Sequence, residues 1–285
     1  MPEGDTLFRT AAGLRPYLVG RTVTGARTGG PGAVPQVGRI VGREITAVEA
    51  LGKNLLIRFD NGLEIRTHLR MTGSWHRYRP GERWRRPPGR ARLVIEVPGA
   101  VAVCFDAPVV ELLEQRAEAL HPSLGKLGPD LLAPDFNALE ALARLRVPER
   151  ASTEIAAALI DQRALAGIGN VYKSEVLWLE RVSPFTPVAE VEDETLGRLV
   201  STARRLLVAN ATSIRGPERI TTTGDRGAPG PLYVYGRTGR PCRRCRTPIA
   251  SRRQGFDPPR TTYWCPTCQD IPLAPKAPRM IVADV

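Results

Sequence analysis

The chain begins Met-Pro-Glu-Gly-Asp-Thr, a start that joins two reactive groups if the initiator Met1 is removed. Pro2 would then carry a free secondary amine, which is a nucleophile, and Glu3 would place beside it a carboxylate that can move protons. Such an amine titrates at about pH 8, so a useful neutral fraction is present at physiological pH. The small penultimate proline favours removal of Met1 by methionine aminopeptidase. If Met1 is retained, the segment is only an ordinary tail.

Four of the five cysteines form two Cys-x-x-Cys pairs, Cys242 with Cys245 and Cys265 with Cys268. Two such pairs can place four thiolates about 2.3 Å from one ion in tetrahedral geometry, so the spacing predicts one structural Zn²⁺ with no open position. The alternative, two disulfides or redox thiols, fits poorly with matched pairs in an intracellular chain. Residues 236–264 also contain eight arginines and one aspartate, which is typical of a surface that contacts phosphate.

Two further segments could place polar groups at the start of a helix and at the start of a strand. In RALAGIGNVYKSEVLWLE (163–180), Gly167 and Gly169 predict a turn, and Asn170 is expected to cap the following helix. The free N–H groups of that helix could hold a phosphate, although most turns of this kind only connect two helices. Lys53 stands before the strand-like run LLIRF, where a lysine is usually a solvated charge.

The roles of two further segments depend on what the chain binds. The segment WHRYRPGERWRRPPGRAR (75–92) carries seven arginines and one glutamate, and it is either a solvated loop or a loop near phosphate. Met71, in HLRMTG, would ordinarily pack in a core or a loop. It gains a role if that loop faces DNA, because unbranched apolar side chains can wedge between base steps.

The composition limits the classes of function. The 285 residues suffice for two modest domains, and 42% hydrophobic residues are ample for packed cores. Lysine and arginine number 41 against 29 acidic residues, a net charge of +12 that favours a polyanionic partner such as nucleic acid or an acidic membrane surface. No apolar run approaches the roughly 18 residues of a membrane span, and the N-terminus lacks the apolar core of a secretory signal. We therefore expect an intracellular protein.

Periodicity predicts the elements that hold these groups. After Asp5, the expected N-cap, apolar residues recur at helical spacing: Leu7, Ala11, Leu14 and Leu18. The N-terminal amine would therefore sit at the start of a packed helix. A second amphipathic helix is predicted from Leu196 to Leu207.

Short β-type runs fill residues 23–113 and predict two packed sheets. The tripeptide Asp60-Asn61-Gly62 between two of these runs predicts a tight hairpin. Cys104 stands alone in an apolar run, where it is expected to be a small buried hydrophobe.

Composition shifts divide the chain into five parts. We expect a β-rich domain over 1–124, a Gly/Pro-rich linker over 125–136 and a helical domain over 137–231, with a break in the helical pattern from 217. The cysteine unit covers 232–270, and 271–285 is expected to be a loose tail.

Five fragments in register resemble the formamidopyrimidine-DNA glycosylase/endonuclease VIII family: MPEGDT, GKNLLIRF, HLRMTGSW, DQRALAGIGNVYKSEVLW and VYGRTGRPCRRCRTPI…RTTYWCPTCQ. The resemblance covers essentially the whole chain. It implies an α+β fold, in which an N-terminal β-sandwich with flanking helices precedes a helix–two-turn–helix domain that carries a four-cysteine zinc finger. It also implies a monomeric base-excision enzyme that acts on damaged DNA, without a membrane, in the cytoplasm at the nucleoid.

The resemblance implies a catalytic set of Pro2, Glu3 and Lys53. The damaged nucleotide is flipped out of the duplex, Pro2 attacks the sugar C1′, and the departing base leaves a cationic iminium, or Schiff base. That cation acidifies the C2′ proton, so the strand is cleaved by β,δ-elimination while Glu3 moves protons during ring opening.

The same resemblance implies the DNA contacts. Lys53 and Asn170 would bind phosphates near the reaction centre, and Arg260 in RTTYWC would grip the phosphate beside the lesion. Met71 matches a residue that fills the void left by the flipped base. The four cysteines would hold one structural zinc.

The start MPEGDT is similar to the endonuclease VIII branch, whereas the formamidopyrimidine branch typically begins MPELPE. This similarity favours oxidised pyrimidines such as thymine glycol over 8-oxoguanine. The purine-specific branch has arginines and a phenylalanine after the Phe105-Asp106 position, but here Ala107-Pro108-Val109-Val110 follow. The remaining wedge residues are therefore not predicted.

Two other classes of protein stay open at this point. One is a DNA-binding protein on the same scaffold that recognises damage without catalysis. The other is a nucleic-acid-associated structural protein that uses only the four-cysteine unit and the basic surface.

Overall fold

The computed structural model describes residues 2–30, 34, 36–212, 221–224, 230–255 and 259–269. Within these ranges no helix is long and apolar enough to cross a membrane. Met1, the expected tail over 271–285 and most of the predicted break from 217 lie outside the described residues.

The first helix, α1 (Gly4–Leu18), packs against the β-rich half. It buries the four residues whose spacing predicts it, which are Leu7, Ala11, Leu14 and Leu18. The expected N-cap is wrong, because the helix begins two residues earlier and Glu3, in extended conformation, is the cap residue. Asp5 lies instead in the first turn, where its buried carboxylate is 3.5 Å from Arg9 Nη2.

Two four-stranded antiparallel sheets confirm the predicted β-rich unit. The first has the order β1 (Gly25–Thr28), β6 (Ala91–Val97), β7 (Ala100–Phe105) and β5 (Ser74–Tyr78). The second has the order β2 (Ile45–Leu51), β3 (Asn54–Phe59), β4 (Leu63–His68) and β8 (Val109–Glu114). One apolar core joins the sheets to α1, and Cys104 is buried in it as predicted.

The hairpins of the second sheet determine where polar residues meet. The predicted turn Asp60-Asn61-Gly62 connects β3 to β4, with Gly62 at φ 76°, a backbone conformation that favours glycine. At the opposite end of β3, Asn54 pairs with His68, and His68 pairs with Val109. The turn before β3, the loop after β4 and the start of β8 therefore share one end of the sheet.

The helical half has a separate apolar core. Its helices are α2 (Ala138–Leu145), α3 (Ile155–Ile160), α4 (Asn170–Leu179) and α5 (Asp193–Ala211). The predicted amphipathic helix is confirmed in α5, which buries Leu196, Leu199, Val200, Ala203, Leu206 and Leu207.

The cysteine unit contains a short hairpin, β9 (Ala250–Gln254) and β10 (Arg260–Trp264). Strand β10 lies against α4, where Asn170 Nδ2 donates to Thr261 O at 2.8 Å. The chain thus has the predicted α+β architecture, with sheets first, helices next and the cysteine hairpin last.

Candidate active site and four-cysteine cluster

The N-terminal segment is fixed against the Gly-x-Gly turn of the helical half. Gly4 N donates to Gly167 O at 2.9 Å. The Glu3 carboxylate accepts hydrogen bonds from Gly169 N at 2.7 Å and from Val171 N at 2.8 Å. A Cβ on residue 169 would lie 2.3 Å from the carboxyl carbon of Glu3, so only glycine leaves room for this contact.

This arrangement corrects the expectation for the start of α4. Gly169 is the N-cap residue and Asn170 is the first helical residue, so the predicted cap by Asn170 is wrong. The amide groups that were expected to be free for phosphate are used by Glu3 instead. A carboxylate suits that position because it meets unpaired N–H groups and the positive end of the helix dipole.

Glu3 is fully buried, and this burial raises the pKa of its carboxyl group to about 7. The positive charge of Lys53 and the amide hydrogen bonds of Val171 and Gly169 act in the opposite direction, and the charge of Asp5 adds to the rise. A carboxyl group with a pKa near neutrality can both donate and accept protons under physiological conditions.

Lys53 lies partly buried in the turn between β2 and β3. Burial lowers the pKa of its ammonium group to about 8; the charge of Glu3 opposes this change and that of Arg260 adds to it. Gly52 in the same turn has φ 58°, and its N–H donates to Asp130 Oδ2 at 2.7 Å. Asp130 therefore fixes the turn that carries Lys53 against the helical half.

A groove of about 840 Å³ runs between the two halves of the chain. Five of the predicted site residues line it, namely Pro2, Lys53, Met71, Asn170 and Arg260. Glu3 lies behind the groove wall, and the side chain of Met71 is 59% exposed. The lining also includes several cationic side chains that the sequence did not single out, among them Arg66, Arg70, Lys126 and Arg163.

A polar cluster on one wall of the groove was missed by the sequence analysis. Arg66, almost fully buried, donates from Nε to Asn54 Oδ1 at 2.9 Å and from Nη1 to Glu111 Oε2 at 2.5 Å. His121 Nε2 lies 3.3 Å from the same Glu111 oxygen. Nearby, burial and the charges of Arg66 and Lys53 lower the pKa of His68 to about 4, so its ring is neutral at physiological pH.

A buried lysine in the first turn of α4 was also missed. Lys173 is 1% exposed, and its Nζ donates to Thr262 Oγ1 at 2.8 Å. Burial lowers the pKa of Lys173 to about 7, the charge of Glu3 opposes this, and the charge of Arg260 adds to it. Because Thr262 is two residues after Arg260 on β10, this hydrogen bond helps to fix the strand that presents Arg260 to the groove.

The four cysteines of the two predicted pairs come together. Their sulfur atoms all lie within 4.8 Å of one another, with Cys242 Sγ 3.8 Å from Cys268 Sγ and Cys245 Sγ 3.3 Å from Cys265 Sγ. Four thiolates at about 2.3 Å from one ion are separated by roughly 3.8 Å, so the cluster fits a tetrahedral metal ion. Backbone N–H groups also donate to Sγ of Cys242 and Cys265.

Family models match most of the chain. Residues 1–108 match the formamidopyrimidine-DNA glycosylase N-terminal domain, and residues 127–220 match the formamidopyrimidine-DNA glycosylase H2TH domain. The chain is 43% identical over 277 residues to the probable endonuclease 8 2 of Streptomyces coelicolor, an alignment that covers 95% of each chain. It is 39% identical to the DNA-(apurinic or apyrimidinic site) lyase Nei2 of Mycolicibacterium smegmatis, covering 94% of this chain and 99% of that one.

A solved structure has the same fold. The crystal structure of the MutM (Fpg) protein from Thermus thermophilus superposes with a TM-score of 0.77 at 28% sequence identity. The match covers 95% of this chain and 100% of the other.

Proposed function

The chain belongs to the formamidopyrimidine-DNA glycosylase family, on its endonuclease 8 branch, and from that premise we propose that it excises oxidised pyrimidines from DNA and cleaves the strand at the abasic site. It is an enzyme of the DNA glycosylase and abasic-site lyase class. The main support for the proposal is the buried carboxyl group of Glu3. Backbone amides of the helical half hold this group directly behind Pro2 and the cation-lined groove. We further infer a monomer that acts at the nucleoid.

Pro2 is the proposed nucleophile. With Met1 removed, its neutral amine attacks C1′ of the flipped nucleotide; the C1′–N bond to the enzyme forms while the bond to the base breaks, and the N–H proton of the attacking amine is transferred to the departing base. The C1′–O4′ bond then opens, O4′ takes a proton and the amine lone pair forms the iminium. Loss of the C2′ proton expels the 3′ phosphate, and a second elimination expels the 5′ phosphate.

Glu3 is the proposed acid and base for these steps. Its pKa of about 7 means that comparable amounts of the acid and the carboxylate are present at neutral pH. The acid form can protonate O4′ during ring opening, and the carboxylate can take a proton afterwards. Its place one residue after the nucleophile keeps it within reach of the same sugar.

Three cationic or amide side chains are the proposed phosphate contacts. Lys53, Asn170 and Arg260 line the same groove from the β-rich half, α4 and β10. Contacts of this kind offset the few kcal/mol that flipping a nucleotide out of the duplex costs. Met71, apolar and exposed at the groove, is the proposed filler of the void.

The four-cysteine cluster is the proposed site of one structural Zn²⁺. All four ligand positions would be protein thiolates, so no position is left for a catalytic water. An ion there would only cross-link the two Cys-x-x-Cys pairs through its coordination bonds. That link supports the β9–β10 hairpin, and with it the start of β10 where Arg260 lies.

The pyrimidine preference rests on two features. The relatives with the higher identities are named endonuclease 8, and the branch that they represent resembles this chain from its first six residues. The segment after Phe105 also carries Ala107 to Val110 where the purine-specific branch has arginines and a phenylalanine. A side-by-side excision assay on duplexes with thymine glycol or 8-oxoguanine tests this preference; faster release of 8-oxoguanine would contradict it.

The covalent step is tested by borohydride trapping on a duplex with one abasic site, followed by peptide mapping of the adduct. We expect the adduct to map to Pro2. The structure provides a specific rival, since Lys53 also lines the groove with a lowered pKa. An adduct that maps to Lys53 would overturn the assignment, and no adduct at all would indicate a damage-recognising protein without catalysis.

A further inference from the structure

The arginine loop, which we define as residues 79–90 between β5 and β6, is held in place by its own contacts. Trp84 packs between Tyr78, with ring centroids 6.1 Å apart, and Phe105, edge-on at 5.7 Å. Arg85 N donates to Tyr78 Oη at 3.0 Å, and Arg79 N donates to Glu82 Oε2 at 2.8 Å. The loop is therefore held both by a contact within itself and by contacts of Trp84 and Arg85 with the first sheet.

The arginine loop also contacts the segment that carries Met71. Arg86 Nη1 donates to Asp106 Oδ2 at 2.6 Å and lies 3.4 Å from Thr72 O. Arg90 Nε donates to Asp106 Oδ1 at 2.8 Å, and Thr72 Oγ1 donates to Asp106 O at 3.0 Å. Asp106 thus joins the loop to Thr72, the residue next to Met71, which lines the groove.

Three arginines of the loop remain without such partners. Arg79, Arg83 and Arg85 are exposed, and within the described part of the chain no hydrogen bond or ion pair engages their guanidinium groups. The single glutamate of the loop, Glu82, uses one oxygen on a backbone amide. Three like charges presented together on an ordered loop repel one another, and a polyanion would relieve that repulsion.

We propose that the arginine loop is a second DNA contact, which binds backbone phosphates of the duplex several base pairs away from Met71. This proposal rests on the proposed function, because that function places the DNA in the groove beside Met71. Strand β5 has five residues and leads from the Met71 segment to Arg79, a distance of roughly 15 Å at about 3.3 Å per residue. Duplex DNA rises about 3.4 Å per base pair, so Arg79 would meet it about four to five base pairs from the wedge, whereas Arg85, which adjoins the Arg86 that reaches Thr72, would meet it nearer to the wedge.

Guanidinium groups suit this role better than a general surface charge would. Arginine binds phosphate oxygens through a planar pair of donors and loses less hydration than lysine. The contact would carry no sequence information, because phosphates position a protein on the duplex without reading bases. It would lengthen the stretch of duplex that the enzyme holds while the lesion is flipped.

The test uses the triple variant Arg79→Gln, Arg83→Gln, Arg85→Gln on the full chain. The matched control changes three exposed arginines, Arg21, Arg39 and Arg43, which precede β2 and so lie at the end of that strand away from Lys53. Both variants lose the same charge. Binding is measured by fluorescence anisotropy on duplexes with a central tetrahydrofuran abasic-site analogue and flanks of either three or twelve base pairs.

On the long duplex, the loop variant should have a salt slope lower by about 2.7 if all three phosphate contacts are lost, at about 0.9 for each. Between 50 and 200 mM salt, the affinity of the wild type should then fall about 40-fold more than that of the variant. On the short duplex the loop variant should differ less from the wild type, because the contact at Arg79 would then be absent from both. The control should keep the wild-type slope on both.

Equal slopes for the loop variant and the control on the long duplex would overturn the proposal and make the loop a solvated surface. A loss of affinity that is the same on both duplexes would also overturn it, because the contact would then not lie beyond the lesion. Trapping on an abasic duplex separates this outcome from failure of the proposed function. The loop variant should still form the adduct at saturating DNA, and the absence of an adduct from the wild type would count against the enzyme rather than the loop.

Discussion

The substitution Gly169→Ala tests the contact between Glu3 and the start of α4. Residue 169 has φ −128°, an extended conformation that alanine adopts, so the backbone itself is not strained. The new Cβ would lie 2.3 Å from the carboxyl carbon of Glu3, about 1.1 Å short of the 3.4 Å at which ordinary contact begins. The carboxyl group must therefore move by about an ångström and leave its amide donors.

The expected loss can be worked out from these contacts. Hydrogen bonds to a charged group contribute about 1.5–3 kcal/mol each, so losing both amides removes about 3–6 kcal/mol from the stabilisation of the carboxylate. A displacement of 1 Å at a catalytic group lowers the rate by about 100-fold. Because the amides hold the pKa of Glu3 down, their loss should also move the pKa above its value of about 7.

The assay is single-turnover cleavage of a duplex with a preformed abasic site, which isolates the lyase steps from base excision. Gly13→Ala is the matched control, since a Cβ there meets nothing within 4 Å and the residue lies in α1. We expect Gly169→Ala to cleave about 100-fold more slowly while Gly13→Ala cleaves at the wild-type rate. Wild-type cleavage by Gly169→Ala with an unchanged pH profile would refute the reasoning.

The pH profile of cleavage should show an ionisation near pH 7, the pKa of Glu3, that disappears in Glu3→Gln; its persistence would assign it to another group. Between pH 7 and 10.5, Lys173 binds fewer protons in the folded state than in the unfolded state, so its contribution to the free energy of unfolding rises with pH. The variant Lys173→Met should therefore be more stable than the wild type below pH 7, by an amount on the order of a few kcal/mol that shrinks as pH rises. An equal pH dependence of urea unfolding for the wild type and Lys173→Met would contradict this prediction. Removal of the metal that we propose to be zinc, by a chelator, should weaken DNA binding while circular dichroism still reports the β-rich half. Unchanged binding after complete removal would count against a role for the metal in presenting Arg260.

Local patterns predicted much of the fold. The apolar stripes of α1 and α5 and the Asp-Asn-Gly hairpin depend on residues close together in sequence, and the structure confirms each. The four-cysteine cluster was predictable for the same reason, because each Cys-x-x-Cys turn is a local unit and two of them suffice for one ion.

The contacts that organise the groove depend on residues far apart in sequence. Glu3 and Gly169 are 166 residues apart, and nothing in either segment alone indicates that the carboxylate replaces Asn170 as the partner of the helix amides. The same holds for the hydrogen bond between Gly52 and Asp130, 78 residues apart, and for that between Lys173 and Thr262, 89 residues apart. Local capping rules failed at α4 because a distant charged group competes better for the same donors.

The central claim is that a liberated Pro2 amine forms the covalent bond to the sugar, and the state of the N-terminus tests it most directly. Two preparations of the same chain are compared, one processed by methionine aminopeptidase and one made with that enzyme inhibited, each checked by intact mass. The processed protein should cleave an abasic duplex and form the borohydride adduct, whereas the protein that retains Met1 should do neither. Equal cleavage by the two preparations would contradict the account.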